Sequence, residues 1–269
     1  MWSGAYVRRG PVPPTPIELH RLAAIAASRA GNADLALSGV SAAALHGLSL
    51  LDPPLERVHF TTGFATGGRI EKRRHLHSGP LDPADVTAVD GVPVTTLERT
   101  AVDVACASTF PAALAVFDSA LRLGADPEVL ADALDGCRRG VAVGRRALAH
   151  ADPGAENAGE SWGRAQIIDD GLPVPRLQYE FFDADGVFIA RTDYDWDGKL
   201  AAEFDGMAKY QRHLRPGETP FDAMRREKFR EDGLRRLGTM VLRWVWADLR
   251  AHRVAPMVAE WLGRLGMVA

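Results

Sequence analysis

The chain has 269 residues, of which 46% are hydrophobic and 25% charged, and a formal net charge of -3. These proportions describe an ordinary soluble globular protein with room for one large or two medium domains, and the charge excludes a globally basic nucleic-acid binder, so any such contact must rest on local patches. No apolar run approaches a membrane span and no signal-peptide pattern opens the chain, so a cytoplasmic protein with no membrane partner is expected. Lysine plus arginine against aspartate plus glutamate counts 15 to 15 over residues 1–150 and 17 to 20 over 151–269, so neither half is basic. The two cysteines, Cys106 and Cys137, lie in apolar helical contexts without metal-type spacing, which predicts buried thiols rather than a disulfide.

Taken in order, residues 1–9 read as a strand remnant. Pro11, Pro13, Pro14 and Pro16 then forbid regular structure until a helix over 17–30, closed by Gly31-Asn32. Ser38 or Ser41 caps a second helix over 42–48, which stops at Gly47 or just after. Alternation predicts strands over 58–62 and 70–77 and a third near 92–94, which runs into a helix through Cys106 with capping-box spacing from Thr95 to Glu98. Amphipathic helices over 111–123 and 127–137 follow, the second with Asp126 as cap. Arg138-Arg139-Gly140 and Gly144-Arg145-Arg146 flank a short helix, and Asp152-Pro153-Gly154 is a strong breaker. These signals divide the chain into a domain at 1–138, a linker at 139–154 and a second domain at 155–269. The second reads as a helix over 156–169, strands over 178–182, 187–196 and 200–205, a charged helix over 221–237, a strand over 240–246 and a helix over 254–265.

The segment Arg191 to Lys209 holds the most chemistry. Asp193 and Asp195 share one face of its first strand, and Glu203 and Asp205 share one face of the second. A two-residue turn at Asp197-Gly198 would set Asp193 opposite Ala202 and send the pairs to opposite faces; a three-residue loop, Trp196 to Gly198, puts them on the same face, and that loop is expected. Acids inside the run Leu200 to Asp205 must be paired, protonated or metal-bound, and a hard cation, Mg²⁺ or Mn²⁺, is the natural partner for oxygen donors. Solvated hairpin carboxylates are the bland reading of the same residues. Lys72, Arg73 and Arg74, beside Arg69, form a short basic run that reads either as a phosphate clamp or as a solvated turn. His75 and His77 share a strand face and, with His59, suggest a metal site, but no carboxylate or cysteine is spaced to complete it, so exposed strand histidines are expected. Residues 205–236 hold nine Lys or Arg, Arg212, Arg225, Arg226, Lys228 and Arg230 among them, a pattern that suits nucleic-acid contact and a salt-bridged helix surface alike.

Residues 37–48 (LSGVSAAALHGL), 58–62 (VHFTT) and 91–105 (GVPVTTLERTAVDVA) make the first half resemble the AbiEi family of antitoxin and regulator domains from type IV toxin-antitoxin systems. The resemblance covers roughly residues 1–135 and implies an α+β domain of helices with a small sheet. Such proteins often begin with a DNA-binding winged helix-turn-helix; this chain starts inside what would be its last strand, so that module is expected to be missing. A cognate toxin is the partner this family implies.

ENAGESWGRAQIIDDGLPVP, RTDYDW, AAEFDGMAKY, REKFREDGLRRLG and VLRWVWADL, all within 155–250, resemble the PD-(D/E)XK nuclease superfamily in its very-short-patch-repair-like branch. That resemblance implies an α/β, restriction-endonuclease-like core and a metal-dependent DNA endonuclease, in repair or defence, acting on duplex or structured DNA, with a homodimer as one route to cutting both strands. It implies that Asp193 and Glu203 are the central metal ligands, that Glu160 reaches the site from the first helix, and that Asp205 is an additional ligand or supports one. The superfamily's lysine two residues after the second-strand acid is replaced by Asp205, leaving Lys209 or Lys228 to supply the cation. The alternative is a non-catalytic DNA-binding or antitoxin-like regulator whose nuclease half has decayed.

Overall fold

The structure, a computed structural model, describes residues 10, 12–31, 35–136, 138–206 and 219–268. It is an α/β protein of two compact units, Met1–Pro153 and Gly154–Ala269. The expected N-terminal strand and Cys137 lie outside the described residues. No described helix is long and apolar enough to cross a membrane.

The first unit opens with α1 (Pro16–Arg29), whose start is fixed by a capping box: Thr15 N–H donates to Glu18 at 2.6 Å and Glu18 N–H to the Thr15 hydroxyl at 3.3 Å. Then follow β1 (Ala36–Leu37), α2 (Gly39–His46, ended by Gly47 at φ 80°), β2 (Val58–Gly63), β3 (Arg69–Ile70), β4 (Arg74–Pro80), β5 (Val86–Val89) and β6 (Val92–Thr95). The helices α3 (Leu97–Cys106), α4 (Phe110–Arg122), α5 (Pro127–Ala133) and α6 (Val141–Ala149) complete the unit. Among the described residues its strands run in the order β3-β4-β2-β1-β6-β5, with β2–β4 and β1–β6 parallel. Leu37, Phe60, Leu76 and Val94 point to one face, where Ala24, Ala27, Ala42 and Leu45 of α1 and α2 close the core.

Several boundaries differ from the sequence reading for local reasons. The strand expected over 70–77 is a hairpin, because Glu71 turns the chain: its N–H bonds Arg74 O at 2.8 Å and its carboxylate takes the Arg74 guanidinium at 2.9 Å. Thr96, not Thr95, caps α3, while the Thr95 hydroxyl is buried against Thr100 at 2.6 Å. The partner strand β5 was missed, although Asp90-Gly91, at φ 53° and 72°, is a strong hairpin signal. Gly144 lies inside α6 rather than after a helix, since a Cβ there would sit 2.8 Å from Leu134 and 3.2 Å from the Cys106 sulfur. Burial raises the Cys106 thiol pKa above its ordinary value.

The second unit begins with α7 (Ala158–Asp169), capped by Asn157. The meander β7 (Arg176–Phe182), β8 (Phe188–Trp196) and β9 (Leu200–Phe204) follows, then α8 (Pro220–Arg236), β10 (Met240–Trp244), α9 (Trp246–Arg250) and α10 (Val254–Arg264). Sheet order is β10-β9-β8-β7, antiparallel except for the β9–β10 pair, which α8 joins as a crossover. One sheet face buries Tyr194, Trp196, Leu200, Ala202, Phe204, Leu242 and Trp244 against Ile167 of α7 and Val258 and Leu262 of α10. The other packs Ala201 and Val241 against Leu234 of α8. Close approach of α7 depends on Gly159, where a Cβ would lie 2.2 Å from the Phe204 ring. The strand expected to reach residue 246 stops at Trp244, because Asp248 accepts the Val245 N–H at 2.9 Å and starts α9.

Candidate functional site

The β8–β9 hairpin pairs Trp196 with Leu200, Asp195 with Ala201 and Tyr194 with Ala202. Its loop is therefore Asp197 to Lys199, three residues as expected but one position later, with Asp197 and Gly198 at φ 51° and 71°. Beyond Tyr194 the two strands are joined by a side chain, and Glu203 lies one residue before the end of β9. Asp193 Oδ2 accepts the Phe204 N–H at 2.8 Å, which ties its carboxylate to the end of β9.

Glu203 is held by arginines. Arg230 of α8 gives its carboxylate two bonds, the longer at 2.8 Å, and Arg243, its neighbour on β10, donates from Nε at 3.2 Å. Arg230 also donates to Glu227 at 3.0 and 2.7 Å, and Arg243 to Glu227 at 2.6 Å and to Glu231. Burial opposes the charge on both guanidinium groups, but the hydrogen bonds and nearby carboxylates prevail and raise their pKa values. Arg230 was expected on a nucleic-acid surface. Its side chain is only 20% exposed and is committed to Glu203 and Glu227.

Of the other acids, Asp195 is 1% exposed, ion-paired to Arg176 of β7 and bonded by the Gly198 N–H at 3.0 Å. A buried carboxylate needs such partners, and here they are protein groups. Glu160, in the first turn of α7, is 3% exposed and accepts from Glu156 N at 2.7 Å, Asn157 Nδ2 at 2.5 Å and Gln178 Nε2 at 3.4 Å. Gln178 falls between the pairs Leu177–Tyr194 and Tyr179–Thr192 and is held at φ 51°, a left-handed backbone that a non-glycine residue adopts at a cost. Asp205 follows β9, half-buried, its N–H on Trp244 O at 2.8 Å.

The polar groups thus fall into separate contacts: Glu160 with Gln178, Asp193 with the Phe204 N–H, and Glu203 with Arg230 and Arg243. Arg176, Gln178 and Arg243 were not singled out from sequence; Arg243 alternates in phase on its strand, but only the parallel pairing of β9 with β10 reveals its neighbour. Lys228, Arg225 and Arg226 are exposed on α8, and Lys209 and Arg212 lie outside the described residues. In the turn before β4, Lys72 and Arg73 are exposed, whereas Arg74 is bound to Glu71. Trp196 and Trp244 are core residues, and Trp246 packs on Phe204. Among the described residues, the one group of three or more His, Cys, Asp or Glu with all ligand atoms within 4.8 Å of one another is His59, His75 and His77; Glu160, Asp193, Glu203 and Asp205 do not form such a group.

Residues 33–149 match the family described as the AbiEi antitoxin C-terminal domain. The chain is 34% identical over 281 residues to the uncharacterized protein MT2308 of Mycobacterium tuberculosis (strain CDC 1551 / Oshkosh), covering 99% of this chain and 93% of that protein. Identity and coverage are the same for the uncharacterized protein Rv2248 of strain ATCC 25618 / H37Rv. A crystal structure of the Rv2827c protein from M. tuberculosis aligns with 16% identity and a TM-score of 0.33, over 58% of this chain and 61% of that one. At 34% identity along 99% of its length, and over 93% of theirs, the chain belongs to the family of these two mycobacterial proteins.

Proposed function

We propose that the second unit is a metal-dependent endonuclease that hydrolyses DNA phosphodiester bonds. One observation carries the reading: in a helix-strand-strand-strand-helix-strand unit, Asp193 of β8 binds the N–H of Phe204, the residue next to Glu203 on β9, and Glu160 of the first helix binds Gln178 of β7. The donors are all carboxylate oxygens, the kind Mg²⁺ or Mn²⁺ takes; Asp193 and Glu203 would hold the ion once an arginine leaves Glu203, and Glu160 and Asp205, which stand apart from them, would have to move in to join. When bound, it would lower the pKa of a coordinated water and screen the phosphate charge.

The chain's own residues do the rest. Arg243 and Arg230 supply positive charge at Glu203, where the superfamily pattern wants a lysine, and exposed Lys228 stands on the same helix as Arg230. Lys209 remains a candidate for that cation on sequence grounds. Arg225, Arg226 and Arg212, with Lys72, Arg73 and Arg74 in the first unit, would contact backbone phosphates. Two copies of the chain would cut the two strands of a duplex.

A second reading is an antitoxin-like DNA-binding regulator with a decayed nuclease unit, partnered by a cognate toxin. It is favoured by the arginines that already balance Glu203 and by the AbiEi antitoxin domain. Incubation of supercoiled plasmid and linear duplex with wild type, Asp193→Ala and Glu203→Gln, in Mg²⁺ or Mn²⁺, separates the two. Cleavage by wild type that both substitutions abolish is expected; no cleavage, or equal cleavage by the variants, rejects the nuclease.

A further inference from the structure

The three histidines expected as exposed strand residues are half-buried and gathered on one face of the first unit's sheet. The parallel β2–β4 register pairs His59 with His75 and Thr61 with His77, so alternation places all three imidazoles on the face opposite Phe60 and Leu76. The rings lie 3.9 Å (His75–His77) and 5.1 Å (His59 to each) apart between centroids, and His59 Nδ1 is 3.0 Å from His77 Nε2. Backbone bonds hold the platform still: Ser38 N–H donates to His59 O at 3.0 Å, and His59 N–H donates to Ser41 Oγ at 2.9 Å.

Ordinary packing explains this cluster poorly. Three imidazoles cannot all be protonated in such contact, and each keeps a polar nitrogen that half-burial leaves costly to desolvate. Burial first, then the neighbouring imidazoles and Arg57, lowers the His59 pKa to about 3, and burial lowers His75 and His77 as well, against a rise from Asp103 at His77. The trio is therefore neutral near pH 7, the form in which imidazole binds a metal.

We propose that His59, His75 and His77 form a binding site for a zinc-class divalent transition ion, with the fourth position open to water or an incoming group. One ligand atom from each histidine lies within 4.8 Å of the others, and the 3.0 Å pair is already closed. Tetrahedral zinc with Zn–N bonds of about 2.0–2.1 Å separates its nitrogens by roughly 3.3 Å, so small side-chain rotations suffice. A donor set of imidazoles alone selects zinc, copper or nickel over magnesium or calcium, which take oxygen. This site lies in the AbiEi-type unit and does not depend on the nuclease reading.

The test uses the untagged full-length chain, stripped with a chelator and titrated with Co²⁺ and with Zn²⁺. With excess Mg²⁺ present to hold the carboxylate site, calorimetry should give one Zn²⁺ per chain, and Co²⁺ should give the visible absorption of a tetrahedral nitrogen site, bleached when Zn²⁺ displaces it. His75→Gln and His77→Gln, each checked for native circular dichroism, should each weaken binding by about 100-fold or more. His252→Gln, at an exposed histidine outside the cluster, should leave it unchanged. Absence of stoichiometric binding, retention of full affinity in both histidine variants, or loss of binding in His252→Gln would overturn the proposal.

Discussion

Replacing Arg230 with methionine keeps an unbranched apolar stem and removes the guanidinium that gives Glu203 two bonds and Glu227 two more. Removing one partner of a fully buried ion pair costs about 3–5 kcal/mol, because the other charge is left without compensation. Here the side chains of Arg230 and Glu203 are 20% and 15% exposed, and Arg243 still donates to Glu203 at 3.2 Å. Roughly half of that penalty should remain, about 2 kcal/mol. Five of the six tryptophans, Trp162, Trp196, Trp244, Trp246 and Trp261, lie in residues 154–269, so tryptophan fluorescence during urea unfolding reports mainly on the second unit. Adding Glu203→Gln should recover about 1 kcal/mol of the loss, since the stranded charge is then gone. A cost for Arg230→Met below about 0.5 kcal/mol, the range of solvated surface pairs, would refute the view that these arginines neutralise a part-buried carboxylate.

Three other predictions follow from different parts of the molecule. His59 has a folded pKa near 3 against 6.5 unfolded, so its contribution is present above pH 6.5 and lost as pH falls toward 3; the loss should reach about 2 kcal/mol at pH 5. Hydrogen exchange in peptides spanning 58–63 and 74–80 should accelerate between pH 7 and 5 after correction for intrinsic rates, and unchanged protection would contradict the linkage. Gly159→Ala forces a methyl to within 2.2 Å of the Phe204 ring and should cost about 2–3 kcal/mol in urea unfolding; a change under about 0.5 kcal/mol would mean that α7 is free to move off the sheet. Arg225→Ala with Arg226→Ala should leave stability within about 0.5 kcal/mol, yet weaken DNA binding for all sequences alike and reduce the slope of log K against log salt by about 2; an unchanged slope would remove this helix from the DNA interface.

Local chemistry made much of this fold legible. Asp197-Gly198 marked the hairpin, Asp126 supplied a helix cap, and the alternation of Asp193, Asp195 and Glu203 with apolar residues predicted strands with acids on one face. Loop length, which decides whether those acids meet, was read correctly, while its position slipped by one because Trp196 pairs with Leu200 instead of entering the turn. Long-range register was hidden. Only the β9–β10 pairing reveals that Arg243 flanks Glu203, and only the parallel β2–β4 pairing, made across an intervening strand, brings His59 to His75 and His77. Residues around Glu71 look like continuous strand by periodicity, yet a three-residue ion pair breaks them into a hairpin. Asp195 showed an acid out of place, and its partner Arg176 could be found only once β7 had been laid beside β8.

Diffraction from crystals of the full chain soaked in Mn²⁺, recorded at a wavelength where manganese scatters anomalously, tests the proposed nuclease site most directly. An anomalous peak between the carboxylates of Asp193 and Glu203, with Arg230 or Arg243 drawn away from Glu203, is the predicted result. Glu203 still bridged by both arginines, with no manganese on Asp193, would contradict it.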